Sequence, residues 1–136
     1  MVRQRIIKIV FFALILGMGL QMNSAFNKTT FMDLDQAKKK WGSVPFNPNQ
    51  FKKGDEISRS KMVVSLIESK KYLGKKLSTI PDELGKSDGF FENDAIPAYL
   101  LTPPKKENSE IWQVVFIPDK EWKRVNDVKI HKNCCN

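Results

Sequence analysis

Residues 72–88 read YLGKKLSTIPDELGKSD and contain two Leu-Gly pairs. Apolar residues recur at helical spacing over 57–73, so a helix is predicted there, ending at Gly74, since glycine suits a left-handed C-cap. The Ser-Thr pair can begin a second, short helix, with Pro81 in its first turn and Gly85 at its end. The stretch therefore predicts a turn between two helices, rather than a glycine-rich loop that binds a ligand.

Beyond residue 95 the apolar pattern changes to the alternation that is typical of strands. Three strands of an antiparallel meander are predicted: AIPAYLLT (95–102), IWQVVFI (111–117) and WKRVNDVKI (122–130). IWQVVFI is apolar on both faces, which favours the centre of a sheet. Val125 is out of phase with the other apolar residues of the last strand, which predicts a β-bulge near residues 126–127.

Residues 1–25 have the layout of a secretory signal peptide. A basic start, MVRQRIIK, precedes the apolar run IVFFALILGMGL and the small residues of QMNSA. A membrane span needs roughly 20 apolar residues, so an uncleaved inner-membrane anchor is the second interpretation. Export to the periplasm or cell envelope is predicted, without a lipid anchor because no lipobox cysteine follows the run.

Together these patterns predict an α+β fold, with two helices packed on a three-stranded antiparallel sheet (αα-βββ) in two layers. Leu73, Ile80 and Leu84 are expected to pack against the sheet. The predicted segments are a signal peptide (1–25), an irregular N-terminal arm (26–56), the αα-βββ domain (57–131) and a C-terminal tail (132–136). Within the arm, residues 31–41 can form one or two helical turns over the core, and residues 42–56 are predicted to be loop.

The charge of the exported part is mildly basic. Cleavage after Ala25 removes three of the 23 basic residues and leaves 20 against 15 acidic ones, a net charge of +5. The lysines come in short runs with acidic residues between some of them, so no single basic block emerges and a solvated surface is the simplest interpretation. Attraction to an anionic membrane surface or an acidic partner is the sharper hypothesis. Nucleic acid is not an expected partner, because no basic-aromatic stacking motif is present.

No constellation of catalytic residues emerges from the sequence. Ser58 and Lys61 match a Ser-x-x-Lys motif, but the companion motifs of an acyl-enzyme mechanism are absent, so a small hydrolase is the weakest alternative. His131 is the only histidine and is predicted to be exposed on the polar face of the last strand. We therefore predict that the chain is not an enzyme and uses no metal, cofactor or small-molecule substrate.

Two features remain as candidate sites. Phe90 and Phe91 follow the second helix in a loop, and we predict that they contact a partner, unless the N-terminal arm covers them. Cys134 and Cys135 are adjacent, which predicts an incidental pair, a strained vicinal disulfide or an intermolecular one in an oxidising compartment.

The stretch RSKMVVSLIESKKYLGKKLSTIPDELGKSD (59–88) resembles the small bacterial envelope proteins of the SmpA/OmlA type, also called BamE-like. The matching residues are Arg59, Met62, Leu66, Leu73, Gly74, Lys75, Leu84, Gly85 and Asp88. The resemblance implies two helices on a three-stranded sheet and a non-enzymatic binding or scaffold role. In the best-known members that role is accessory to outer-membrane β-barrel assembly. The lipobox cysteine and the Gly-Met-Thr type opening are absent here, so neither outer-membrane anchoring nor that complex carries over.

The function expected from the sequence is that of an exported protein-interaction or scaffold module, with a protein partner in the cell envelope. The alternative is an inhibitor or immunity-type protein that binds and blocks a secreted or periplasmic enzyme.

Overall fold

The computed structural model describes residues 31–103 and 110–133. Within them the chain is α+β, with four helices and a five-stranded sheet. In chain order the elements are β1 (Phe31–Met32), α1 (Leu34–Trp41), α2 (Pro48–Lys53), α3 (Glu56–Glu68), α4 (Thr79–Leu84), β2 (Gly89–Phe90), β3 (Pro97–Leu100), β4 (Ile111–Pro118) and β5 (Val125–Asn133).

The sheet has the strand order β1-β5-β4-β3-β2, and every neighbouring pair is antiparallel. The central position predicted for β4 is confirmed, because it pairs with β3 on one side and β5 on the other. The predicted bulge is confirmed too. Ile117 pairs with Asp127 and Pro118 with Val125, which leaves Asn126 without a register partner. The extra residue lets Val125 and Val128 both face the core.

The α+β class is confirmed, but the count of two helices and three strands is wrong, and residues 31–56 are not irregular. The helical turns expected over 31–41 are present as α1, whereas α2 occupies a stretch that was predicted to be loop. Asn47 begins α2 by accepting a hydrogen bond from the Gln50 amide (3.0 Å), and Pro48 takes the first helical position. The strands β1 and β2 have two residues each, too few for an alternating pattern to be visible.

All four helices pack against one face of the sheet. On that face β4 contributes Trp112, Val114 and Phe116 to a single hydrophobic cluster, which also contains Ala37 of α1 and Phe51 of α2. Because residues before 57 supply part of this core, the boundary predicted there does not separate two folding units.

The ends of α3 and α4 show which glycines act as predicted. Gly85 ends α4 with φ +86°, as expected, and both Ile80 and Leu84 are fully buried. Gly74 does not end α3, which stops at Glu68. The left-handed position after the helix is taken by Lys70 (φ +53°), and Leu73 is 41% exposed rather than packed on the sheet.

The predicted signal peptide and the Cys134–Cys135 pair lie outside the described residues. In the part of the chain that the structure covers, no helix has both the length and the apolar character needed to cross a membrane.

Candidate functional site

The two adjacent phenylalanines have opposite environments. Phe90 is 56% exposed, whereas Phe91 is only 9% exposed and belongs to a small cluster on the sheet face opposite the four described helices. Neighbouring residues of an extended chain point to opposite sides, and Phe91 contacts Phe31 of β1 (ring centroids 6.2 Å apart). For Phe91 the structure thus favours the alternative stated from the sequence, that the N-terminal arm covers it. Phe90 remains a candidate contact.

Phe90 borders a cleft between α4 and the β2–β3 edge of the sheet. The cleft has a volume of about 350 Å³. Its apolar lining comes from Leu77 and Pro81 on one side and from Phe90 and Pro97 on the other, and Lys86 and Asp94 add charge. From the sequence, Pro81 and Pro97 had only structural roles, as the start of a helix and of a strand. No local signal could show that the two prolines meet Phe90 at one cleft.

A mostly buried ion pair fixes the chain that leads to Phe90. Arg59 of α3 is 9% exposed, and its Nη1 donates to Asp88 Oδ2 at 2.7 Å. The same carboxylate oxygen accepts from the Leu100 amide (2.8 Å), and Asp88 N–H donates to the Ala98 carbonyl (3.0 Å). Charge-assisted hydrogen bonds are the stronger kind, so β2 and its exposed Phe90 are held firmly to α3 and β3.

Aromatic rings surround the Arg59 guanidinium and link it to α4. Arg59 lies 5.4 Å from the Phe51 ring centroid and 5.8 Å from that of Tyr99. The Tyr99 hydroxyl donates to the Gly85 carbonyl at 2.7 Å, so it also helps satisfy the C-terminal end of α4. Burial raises the pKa of Tyr99, which keeps the hydroxyl a neutral donor at physiological pH. Both walls of the cleft are thus connected through one buried network.

His131 is not the exposed terminal histidine that the sequence predicted. Its ring lies between Phe91 (centroids 4.5 Å apart) and Phe31 (5.4 Å), and its Nδ1 is 3.2 Å from Gln113 Nε2. Burial lowers the pKa of His131, and the negative charge of Glu92 opposes that shift. The antiparallel pairing of β1 with β5 places Phe31 opposite a histidine that is 100 residues away in sequence.

Ser58, which was considered as a nucleophile, takes part in hydrogen bonds at the start of its own helix. The Ser58 hydroxyl donates to the Asp55 carbonyl at 3.1 Å, within the first turn of α3, and Asp55 caps that helix by accepting from the Ser58 amide. Among residues 31–103 and 110–133, no group of three or more His, Cys, Asp or Glu side chains is placed to hold a metal ion. What the described residues offer is a fixed apolar cleft with an exposed aromatic ring.

In comparisons with protein-family models, with curated proteins and with solved structures, no match to this chain was found. The resemblance to SmpA/OmlA proteins therefore stays a prediction from the sequence pattern.

Proposed function

We propose that this chain is an exported, non-catalytic protein-interaction module of the cell envelope. The observation that carries the proposal is the exposure of Phe90 beside the cleft formed with Leu77, Pro81 and Pro97. Large aromatic side chains at well-packed positions dominate the binding energy of many protein interfaces. A scaffold role of the kind implied by the sequence resemblance is consistent with such a surface.

The rigidity of the Phe90 segment supports a binding role. Binding loses affinity when a side chain must first be ordered, and a preorganised anchor avoids that cost. Here the Arg59–Asp88 pair and the Ala98 carbonyl hold β2 immediately before Phe90. The cleft is at the small end of the range for ligand pockets, which suits one or two side chains of a protein partner.

Capture from an envelope extract tests this proposal. We expect the tagged full-length chain to recover a specific cross-linked partner and Phe90→Ala to lose it. The matched control is Ile57→Ala, which removes another apolar side chain of similar exposure (52%) from α3. Loss of the partner with both variants, or with neither, would remove Phe90 from the interface. Failure to recover any specific partner at several salt concentrations would count against the interaction role itself.

An inhibitor or immunity-type role is the second candidate, and the β2–β3 turn favours it. This turn is held internally, since the Phe91 amide donates to the Ile96 carbonyl (2.9 Å) and the Ala95 amide to Asn93 Oδ1 (2.9 Å). Rigid exposed turns beside an apolar anchor suit the blocking of an enzyme cleft. If the captured partner is an enzyme, we expect the wild-type chain to inhibit it and Phe90→Ala to inhibit it less.

A further inference from the structure

Two loops that are about fifty residues apart in sequence meet at one end of the sheet. The Gly74 amide donates to the Val125 carbonyl (2.8 Å), and the Val125 amide donates back to the Lys75 carbonyl (2.8 Å). The Leu77 amide also donates to the Lys123 carbonyl at 2.9 Å. We call residues 70–77 and 119–124 together the basic end.

The basic end concentrates the charge of the molecule. It carries seven cationic side chains and two acidic ones, Asp119 and Glu121, a net charge of +5. That equals the net charge of the whole of residues 26–136, so the rest of that span is balanced. The cationic residues are Lys70, Lys71, Lys75, Lys76, Lys120, Lys123 and Arg124. The sequence alone predicted dispersed lysine runs, and it is the pairing of the two loops that joins them.

Some of this charge is compensated nearby. Lys75 Nζ lies 3.3 Å from Glu83 Oε1, and Lys123 Nζ lies 3.7 Å from Glu121 Oε2. Arg124 donates to the Gly74 carbonyl at 2.9 Å, which leaves its positive charge uncompensated by that contact. The end therefore stays strongly positive after both ion pairs are taken into account.

Two large apolar side chains are exposed among these cations. Leu73 is 41% exposed and Trp122 is 49% exposed. Trp122 adopts a left-handed backbone conformation (φ +60°), which is unusual for a bulky residue. Asp119 Oδ1 accepts from the Lys123 amide (3.0 Å) and the Arg124 amide (3.4 Å), so the turn that presents Trp122 is fixed.

We propose that the basic end binds the surface of an anionic phospholipid bilayer, with the cations at the phosphates and Trp122 and Leu73 at the headgroup boundary. Clustered lysines and arginines are attracted to anionic headgroups, and tryptophan is enriched at this depth of a membrane. What favours a bilayer is that the exposed side chains among the cations are a tryptophan and a leucine, which suit the boundary between headgroups and acyl chains. An acidic protein is the alternative that the test must exclude. This inference goes beyond the proposed function and does not depend on Phe90.

The test measures partitioning of the full-length chain onto vesicles. Phosphatidylcholine vesicles are compared with vesicles that also contain phosphatidylglycerol. Because residues 1–25 are common to all variants, a difference in partitioning between variants reports on the substituted residues. We expect preference for the anionic vesicles that weakens with added salt. In the triple variant Lys70→Gln, Lys71→Gln, Lys76→Gln, partitioning onto anionic vesicles should fall by about tenfold or more.

The matched control removes the same charge from α1, with Lys38→Gln, Lys39→Gln and Lys40→Gln. These lysines are exposed. The pKa of Glu110 is lowered by its hydrogen bond with Lys132 and, less strongly, by the charge of Lys40, which is therefore close to that carboxyl. Glu110 directly precedes β4, whereas residues 119–124 of the basic end directly follow that strand, so the two lysine clusters lie toward opposite ends of it. We expect a much smaller loss for this variant. Equal losses for the two triple variants would overturn the proposal, because they would indicate attraction by net charge alone.

A second measurement isolates the tryptophan. Anionic vesicles should shift the emission of the wild-type chain to shorter wavelength, and Trp122→Gly should abolish the shift, although Trp41 and Trp112 remain. Glycine tolerates the left-handed conformation, so circular dichroism should show an intact fold. No preference for anionic vesicles, or a shift that survives Trp122→Gly, would overturn the proposal. Binding to soluble polyglutamate but not to vesicles would also overturn it and would point to an acidic protein.

Discussion

The two faces of the sheet are closed in different ways. One face is covered by side chains from all four helices, and its central residues, such as Val114 and Phe116, are fully buried. On the opposite face none of the described helices packs, and a small cluster closes it, in which Phe31 and Phe91 lie against the half-buried His131. The helix-covered face thus holds most of the buried apolar side chains of the described residues. The other face depends on a smaller cluster around Val115 of β4 and on one titratable ring.

The same difference between the faces gives the two adjacent phenylalanines, Phe90 and Phe91, different roles. Phe91 belongs to the weaker face and closes it, whereas Phe90 points toward the helix side at the edge of the sheet and stays exposed. A change at Phe91 should therefore act on stability, and a change at Phe90 on binding.

The largest effect is expected for Phe116→Ala on the helix-covered face. Phe116 is fully buried, and its ring lies 5.8 Å from Tyr72 and 6.0 Å from Tyr99. Loss of such a ring leaves a cavity and should lower the free energy of unfolding by about 3–5 kcal/mol. Urea denaturation measures this. A cost under about 1 kcal/mol would show that this face is not the principal core.

Arg59→Met comes next, because it breaks the pair that joins α3 to β2. Removing one partner of a fully buried pair costs about 3–5 kcal/mol, and the 30% exposure of the Asp88 side chain should reduce this to about 2–3 kcal/mol. A double-mutant cycle with Asp88→Asn isolates the pair. We expect the double variant to lose less stability than the sum of the single ones. Strict additivity would contradict the coupling.

Phe91→Ala compares the second face directly with the first. Phe91 is 9% exposed and belongs to a cluster whose other buried members among the described residues are only Ile96, Ala98 and Val115, so its truncation removes less packing than that of Phe116. We expect a loss of about 1–2 kcal/mol, well below that of Phe116→Ala, in the same urea experiment. Equal losses for the two variants would refute the difference between the faces.

The smallest effect is a pH dependence confined to the second face. Burial holds the pKa of His131 below its ordinary value of 6.5, so the unfolded chain binds the proton more readily than the folded one. Stability should be unaffected by this residue above about pH 7 and should fall as pH drops through 6.5 toward the lower folded pKa. The measurement is the difference in unfolding free energy between wild type and His131→Gln at pH 7.5 and 5.5. A wild-type advantage that does not shrink at pH 5.5 would contradict it.

Much of the secondary structure could be predicted because local chemistry suffices for it. The apolar alternation of residues 111–117 placed the central strand, and the phase of Val125 placed the bulge near residues 126–127. Gly85 gave the end of the short helix α4, whereas the capping role predicted for the Ser-Thr pair is wrong, because Ser78 makes no side-chain hydrogen bond at the start of that helix. The two-residue strands could not be predicted, since their pairing with β5 and β3 depends on contacts that are distant in sequence.

The candidate sites depended on tertiary structure to a much greater degree. Sequence singled out Phe90 and Phe91 as a pair, but only the direction of β2 and the position of Phe31 decided which ring is exposed. Sequence likewise determined that the lysines come in short runs that are spread along the chain. Whether they act together was decided by the hydrogen bonds that join residues 74–77 to Lys123 and Val125, because electrostatic potential depends on distance in space and not along the chain.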